Sequence, residues 1–273
     1  MRVLRSVLKY ILAISVLSIF MGPMLWVAVN SFKTVSELLS KPTLVPRTFT
    51  FEHYQQLLKR TSFLRYFANS VIVAVATATI TAVIGALGAY SVFRCRYPGR
   101  NLLFKMLISS YALPKVLVLV PLYVALAKLN IIDSRTGIVL VHVMLVVPFS
   151  VWTLRSFFQN VPVEIEEAAL IDGCNRLQTV FKVFVPLAAP GIAAIWLNAF
   201  LMSWSEYLFA STLIITDSVK TLPVGLAYFL QEYSIEWGIM LAASVLVAVP
   251  AVVGFAFAGK YFIQGLTAGG VKG

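Results

Sequence analysis

The sequence predicts an all-α polytopic membrane protein with six transmembrane helices. Of its 273 residues, 60% are apolar and only 12% charged, against roughly half and a quarter in soluble domains. Six apolar runs each come near the ~20 residues that a bilayer-spanning helix requires. The segments between them are too short for a large soluble domain, so a single transmembrane domain over residues 1–273 is expected.

The 22 Lys and Arg against 11 Asp and Glu give a net charge of +11, which in a soluble protein would suggest nucleic acid as a partner. Here the basic residues lie between apolar runs without aromatic interleaving. That is the pattern of loops facing anionic membrane lipid, and no nucleic-acid partner is expected.

The first run, Tyr10 to Val29, follows Arg2, Arg5 and Lys9. It is longer than a signal-peptide core and lacks a small-x-small cleavage site, so it reads as a retained anchor. The basic flank favours a cytoplasmic N-terminus, and an even number of spans brings the C-terminus back to the same side. Residues 30–67 then form an external loop. In the second run, Ala68 to Phe93, the alanines 74, 78, 82 and 86 recur every fourth residue and make a smooth packing seam. The third, Leu102 to Ala127, contains Pro114 and Pro121, so a kink or break is expected there. The fourth is Gly137 to Val151. The fifth, Pro190 to Ile215, carries Glu206 about 24 Å along a helix from Pro190, an acid in the outer part of a span. The sixth, Gly238 to Ala258, leaves a cytoplasmic tail over about 259–273.

Catalytic chemistry is missing. His53 and His142 are the only histidines, and Cys95 and Cys174 both fall in expected cytoplasmic loops, so neither a metal cluster nor an external disulfide can be assembled. Gly254, Gly259 and Lys260 have the spacing of a phosphate-binding loop, but Tyr261 stands where Ser or Thr should hold magnesium, and an apolar helix precedes them in place of a strand. No cofactor and no ATP hydrolysis are expected in this chain itself.

The loop over about 159–189 is different in kind. Glu164, Glu166, Glu167 and Asp172, four of the eleven acids, fall within nine residues. Pro162 suits a helix start, the glutamates complement the positive end of its dipole, and Gly173 suits its stop. A second amphipathic stretch bearing Leu177, Val180, Phe181 and Phe184 should end before Pro186. The expected hairpin carries exposed acids and an apolar edge, and is shaped to enter a groove on another protein. A helix resting on lipid is the competing reading, but its acids would be repelled by anionic headgroups.

Glu167-Ala168-Ala169, Gly173, Val183, Val185 and Pro186 resemble the EAA loop of ABC importer permeases, with Val for Ile and Val for Leu and with Cys174 replacing the usual Ala. Thr50 to Tyr54 with Asn69-Ser70 resemble the external loop and second-span start of maltose-type sugar permeases, and Gly265 to Gly273 are similar to their C-terminal tail. The resemblance implies a type I ABC importer permease fold in a bacterial cytoplasmic (inner) membrane. It implies a coupling helix docking on an ATPase subunit through Glu164, Glu167, Ala168, Ala169, Asp172 and Gly173, and a tail reaching the ATPases through Thr267, Gly269, Val271 and Lys272. The implied partners are a second homologous permease subunit, two ATPase subunits that bind ATP and Mg, and an extracytoplasmic solute-binding protein.

Trp204-Ser205-Glu206-Tyr207 resembles a W-N-E-F segment of the family, and with Asn198 its Trp204, Glu206 and Tyr207 are candidates for the solute path. The competing role for Glu206 is a structural bond to the other permease subunit. Two functions from different classes stand side by side: a sugar-importing transport subunit, and a self-contained homo-oligomeric channel or carrier. A permease for glycerol phosphate esters is a variant of the first. The acidic hairpin favours the first, since a channel has no use for a docking helix.

Overall fold

In hydrocarbon every backbone N–H and C=O must be satisfied within the chain, so the apolar runs of this sequence can only be helical. In the computed structural model the described residues are 2–40, 43–232 and 236–270, with side chains described except at 2–5, 7, 229–232, 258 and 260–270. They form helices α1 (Arg2–Asn30), α2 (Val35–Leu38), α3 (Glu52–Arg60), α4 (Phe63–Arg94), α5 (Arg100–Tyr111), α6 (Lys115–Lys128), α7 (Arg135–Phe158), α8 (Val163–Ile171), α9 (Arg176–Thr179), α10 (Val185–Leu187), α11 (Ala189–Trp204), α12 (Leu208–Leu213), α13 (Leu222–Glu232) and α14 (Trp237–Gly270). Val180–Phe184 joins α9 to α10 as a π-helical turn. There is no strand among the described residues.

Four helices are long and apolar enough to cross a membrane uninterrupted, at Leu8–Asn30, Phe63–Arg94, Arg135–Phe158 and Trp237–Phe257. Two further helix pairs are apolar enough to bring the number to six if each is taken as one broken span: α5 with α6, bent by 106°, and the segment Arg176–Leu187 with α11, bent by 89°. The third apolar run thus breaks as its prolines require, and it does so at Pro114, which precedes α6, while Pro121 stays inside that helix.

Three expectations need correction. The fifth run is not one helix to Ile215: α11 stops at Trp204, and α12 starts only at Leu208. Polar side chains cause the break. Ser205 Oγ bonds back to Leu201 O at 2.9 Å, and the Glu206 carboxylate accepts the free N–H groups of Phe209 and Ala210 at 2.9 and 3.0 Å. The second stretch of the acidic loop does not end before Pro186. The wider π turn absorbs the proline's missing N–H, and the chain stays helical to Leu187 before it bends at Ala188. The last helix does not stop near Ala258 but continues to Gly270.

The chain divides into two compact units. One comprises residues 1–64 and 226–250. Within it α1 keeps its apolar window wholly exposed, as a lipid-facing helix does. The segment after α1 closes on itself: Phe32 stacks on Phe49 with ring centroids 4.5 Å apart, buried Lys33 donates to Thr43 O at 2.5 Å, and His53 Nε2 donates to Lys33 O at 2.8 Å.

The other unit comprises residues 65–225 and 251–273. Within it α7 packs against α11, α5 and α12, and α4 approaches α7 closely at Gly85 and Gly88. Ala74, Ala78 and Ala86 are buried, so the alanine row is a packing seam. Gly88 lets the backbones close up, because a Cβ there would lie 2.9 Å from Val151 Cγ2. Toward the N-terminal end of α4, Val73, Ile138, Val141, Phe209 and Leu213 form one apolar cluster. Toward its C-terminal end Tyr90, Leu154, Phe158, Val180 and Phe184 form another. At 32 residues α4 is about 48 Å long, well beyond the ~30 Å of a hydrocarbon core, and its last turn meets the acidic loop.

Candidate functional site

The acidic loop folds into a helical hairpin whose turn is a Schellman motif. Cys174 N–H bonds Ala169 O at 3.0 Å and Gly173 N–H bonds Leu170 O at 3.2 Å, with Gly173 in the left-handed region at φ +87°. The return helix begins with a capping box in which the Asn175 and Gln178 side chains each bond the other's backbone N–H at 2.8 Å. Glu164, Glu167, Ala168, Asp172 and Gly173 are exposed on α8 and its turn. Around them lies exposed apolar surface, Ile165, Leu170, Leu177 and above all Ile171 at 85% exposure. Ala169 is different: it is buried, and it sets how closely α8 lies on the structure beneath rather than facing outward.

The sequence reading missed what fixes this hairpin. Glu166, treated there as one of three dipole-complementing acids, turns inward. Its Oε1 accepts the Tyr90 hydroxyl at 2.7 Å and its Oε2 lies 3.3 Å from Arg94 Nε, the pair being only 8% and 13% exposed. Arg94 also donates to the Val161 carbonyl, and its guanidinium lies over the rings of Phe93 at 4.7 Å and Phe184 at 5.2 Å. Phe184 in turn packs edge-on to Tyr90 and Phe158 with centroids 5.1 and 5.0 Å away. One sequence signal was present: Glu166 and Ala169 are three residues apart and share a helix face that the exposed Glu167 does not.

The four residues proposed for a solute path have separate environments. Trp204 is 5% exposed, stacked on Phe200 at 5.8 Å and edge-on to Phe67 at 5.4 Å. Glu206 bridges the break between α11 and α12 inside the chain. Besides capping α12 it accepts from His142 Nε2 at 3.2 Å, while His142 Nδ1 pairs with Ser203 Oγ at 2.7 Å. Asn198 is half-buried and Tyr207 is 48% exposed. In the tail, Thr267 and Gly269 lie on α14, while Val271 and Lys272 fall outside the described residues.

At the N-terminal end of α4, Asn69 and Ser70 hold the segment before α13. Asn69 Nδ2 donates to Ser218 O and Lys220 O at 3.0 and 2.8 Å, and Ser70 Oγ accepts Leu222 N–H at 2.7 Å. The Tyr66 hydroxyl, donating at 2.5 Å, holds the Asp217 carboxyl below the usual carboxylate range, with Lys220 at 3.2 Å adding to the effect. Asp133 is also held low. Burial opposes this, but the Thr216 hydroxyl and the N–H groups of Thr216 and Ile215 outweigh it.

Among the described residues no group of three or more His, Cys, Asp or Glu is placed to hold a metal ion. The stretch Gly254 to Tyr261 is continuous helix, the wrong backbone for a phosphate cradle.

Residues 82–261 match the family described as "Binding-protein-dependent transport system inner membrane component". The chain is 38% identical over 260 residues to the inner membrane ABC transporter permease protein YcjP of Escherichia coli, covering 94% of this chain and 93% of that one. It is 32% identical over 274 residues to the trehalose/maltose transport system permease protein MalG of Thermococcus litoralis, covering 99% and 98%. Its fold resembles that of a chain in the crystal structure of a bacterial ABC transporter involved in the import of the acidic polysaccharide alginate, with a TM-score of 0.83 at 23% identity over 96% of this chain and 97% of that one. The acidic hairpin, the broken apolar spans and these likenesses together place the chain in the family of binding-protein-dependent inner membrane transport components, as a multi-pass permease subunit of an ABC importer.

Proposed function

We propose that this permease passes a sugar or oligosaccharide, paired with a second homologous permease subunit above two ATPase subunits, with an extracytoplasmic solute-binding protein delivering the solute. ATP and Mg belong to the ATPase subunits, and both termini lie in the cytoplasm. The observation that carries the docking part is the two-sidedness of α8, whose inner face is tied down by Glu166 and Ala169 while its outer face offers Glu164, Glu167, Ala168, Asp172 and Gly173 beside exposed Ile171. The sugar part is supported by the resemblance to maltose-type permeases and by the trehalose/maltose name of a relative alike over its whole length.

In this reading closure of the ATPases around nucleotide moves α8 and shifts the permease from inward-facing to outward-facing by differential binding energy. The tail contacts the ATPases through Thr267, Gly269, Val271 and Lys272. Asn198 and Tyr207 border the solute path, while Trp204 and Glu206 shape it from behind.

Vesicles reconstituted with this chain, its permease partner and the ATPase, supplied with binding protein and labelled maltose or trehalose, test the reading. ATP-dependent uptake that vanishes when the ATPase is omitted is expected. Uptake by this chain alone would establish the channel or carrier instead, and ATP-driven uptake of glycerol phosphate esters with no uptake of sugar would overturn the solute class.

A further inference from the structure

Motion imposed on α8 has two covalent exits, back into α7 through residues 159–162 and forward through α9 and α10 into α11. Neither leads to α4. Yet the C-terminal turn of α4 is bonded directly to the hairpin. Tyr90 donates to one carboxylate oxygen of Glu166, and one turn later the Arg94 guanidinium forms an ion pair at 3.3 Å with the other. Arg94 also bonds Val161 ahead of α8 and covers Phe184 behind it, so one guanidinium joins the segments before, within and after the docking helix. The site is nearly dry, and a charge left alone there would be strongly unfavourable. Further along, α4 meets α7 through small residues: Gly85 lies against Ser150 and Gly88 against Val151. Such a contact brings the two backbones close without interlocking large side chains.

We propose that Glu166, Tyr90 and Arg94 form a rigid linkage that makes α4 travel with α8, so that a docked partner's movement reaches three spans rather than two. Glu166 is then a positioning residue of the transport cycle, separate from the outward residues that touch the ATPase. The inference rests on the docking reading above.

The test uses the complete transporter in vesicles and reads solute taken up per ATP hydrolysed. Glu166→Gln keeps the shape and removes the charge. It should retain the ATPase subunits and the basal hydrolysis rate, while uptake per ATP falls about tenfold, the size of an ordinary coupling between sites. Glu166→Asp, which keeps the negative charge facing Arg94, should recover part of that loss, which a role in packing volume alone would not predict. Tyr90→Phe removes a single hydrogen bond and supplies a milder variant should Glu166→Gln fail to accumulate; an intermediate fall is expected. Unchanged uptake per ATP in Glu166→Gln or Tyr90→Phe, or Glu166→Asp no better than Glu166→Gln, overturns the linkage. Failure of the docking reading is distinguishable, because the unaltered chain itself would then not retain the ATPase, and the linkage would fall with it.

Discussion

Replacing Gly173 gives a quantitative handle on the acidic hairpin. A Cβ added there meets nothing within 4 Å, so no steric clash enters the cost. What remains is the backbone: at φ +87° an alanine loses about 1–2 kcal/mol relative to glycine. Asparagine tolerates this region and should lose less, while β-branched valine should approach the upper end of ~1–3 kcal/mol. The two bonds closing the turn, Gly173 N–H to Leu170 O and Cys174 N–H to Ala169 O, share that loss. A penalty of 1–2 kcal/mol lowers the population of the closed turn by about five- to thirtyfold relative to its frayed form. Uptake in vesicles, measured beside membrane abundance, should rank glycine above asparagine, then alanine, then valine, with abundance unchanged because the loop lies outside the spans. Equal uptake by the alanine and valine variants would refute the claim that this turn's geometry matters. Asparagine failing as badly as valine would show that Gly173 acts through close contact with a partner instead.

Other regions yield further expectations. Gly225→Ala brings a Cβ within 2.0 Å of Tyr66 Cδ2, and since Tyr66 is buried, overpacking should cost about 1–3 kcal/mol, visible as a lower Tm in detergent. Glu206→Gln keeps one acceptor for the first N–H groups of α12 but removes the charge that complements its dipole and pairs with His142. A loss of about 1–2 kcal/mol should appear as a Tm drop, whereas Tyr207→Ala should weaken solute uptake at unchanged Tm. Asp217, held below the usual carboxylate range by the Tyr66 hydroxyl and Lys220, contributes stability that is present above its unfolded pKa of about 4 and lost as pH falls through the lower folded value. Unfolding scans from pH 6 to pH 3 should therefore show a fall that Asp217→Asn flattens.

Much of the fold was legible because lipid makes a simple demand: runs of apolar residues must be helices, and the alanine row on α4 marked a packing face that the structure buries. Breaks were legible only where proline forces them, as at Pro114. The interruption at Ser205–Tyr207 was not, because it depends on a carboxylate reaching forward to Phe209 and Ala210 and sideways to His142, sixty-four residues away in sequence. Pro186 misled for the opposite reason, since a π turn accommodates a proline that would end an α-helix. In the hairpin, spacing identified the turn glycine and the exposed acids. It did not separate Glu166 from Glu167, because which of two adjacent glutamates turns inward is decided by Tyr90, 76 residues earlier, and by Arg94 on the same helix. Ala169 was grouped with the outward residues for the same lack of a reference face.

The central claim is that the outer face of α8 is where an ATPase subunit seats. Its most direct measurement is photo-cross-linking in native membranes, with Cys95 and Cys174 replaced by serine and a benzophenone maleimide attached to a single cysteine introduced by Ala168→Cys, Ile171→Cys or, as the inward control, Ala169→Cys. Capture of the ATPase subunit from positions 168 and 171, but not from 169, is the predicted result. Membranes that import solute while neither outer position captures it would contradict the account.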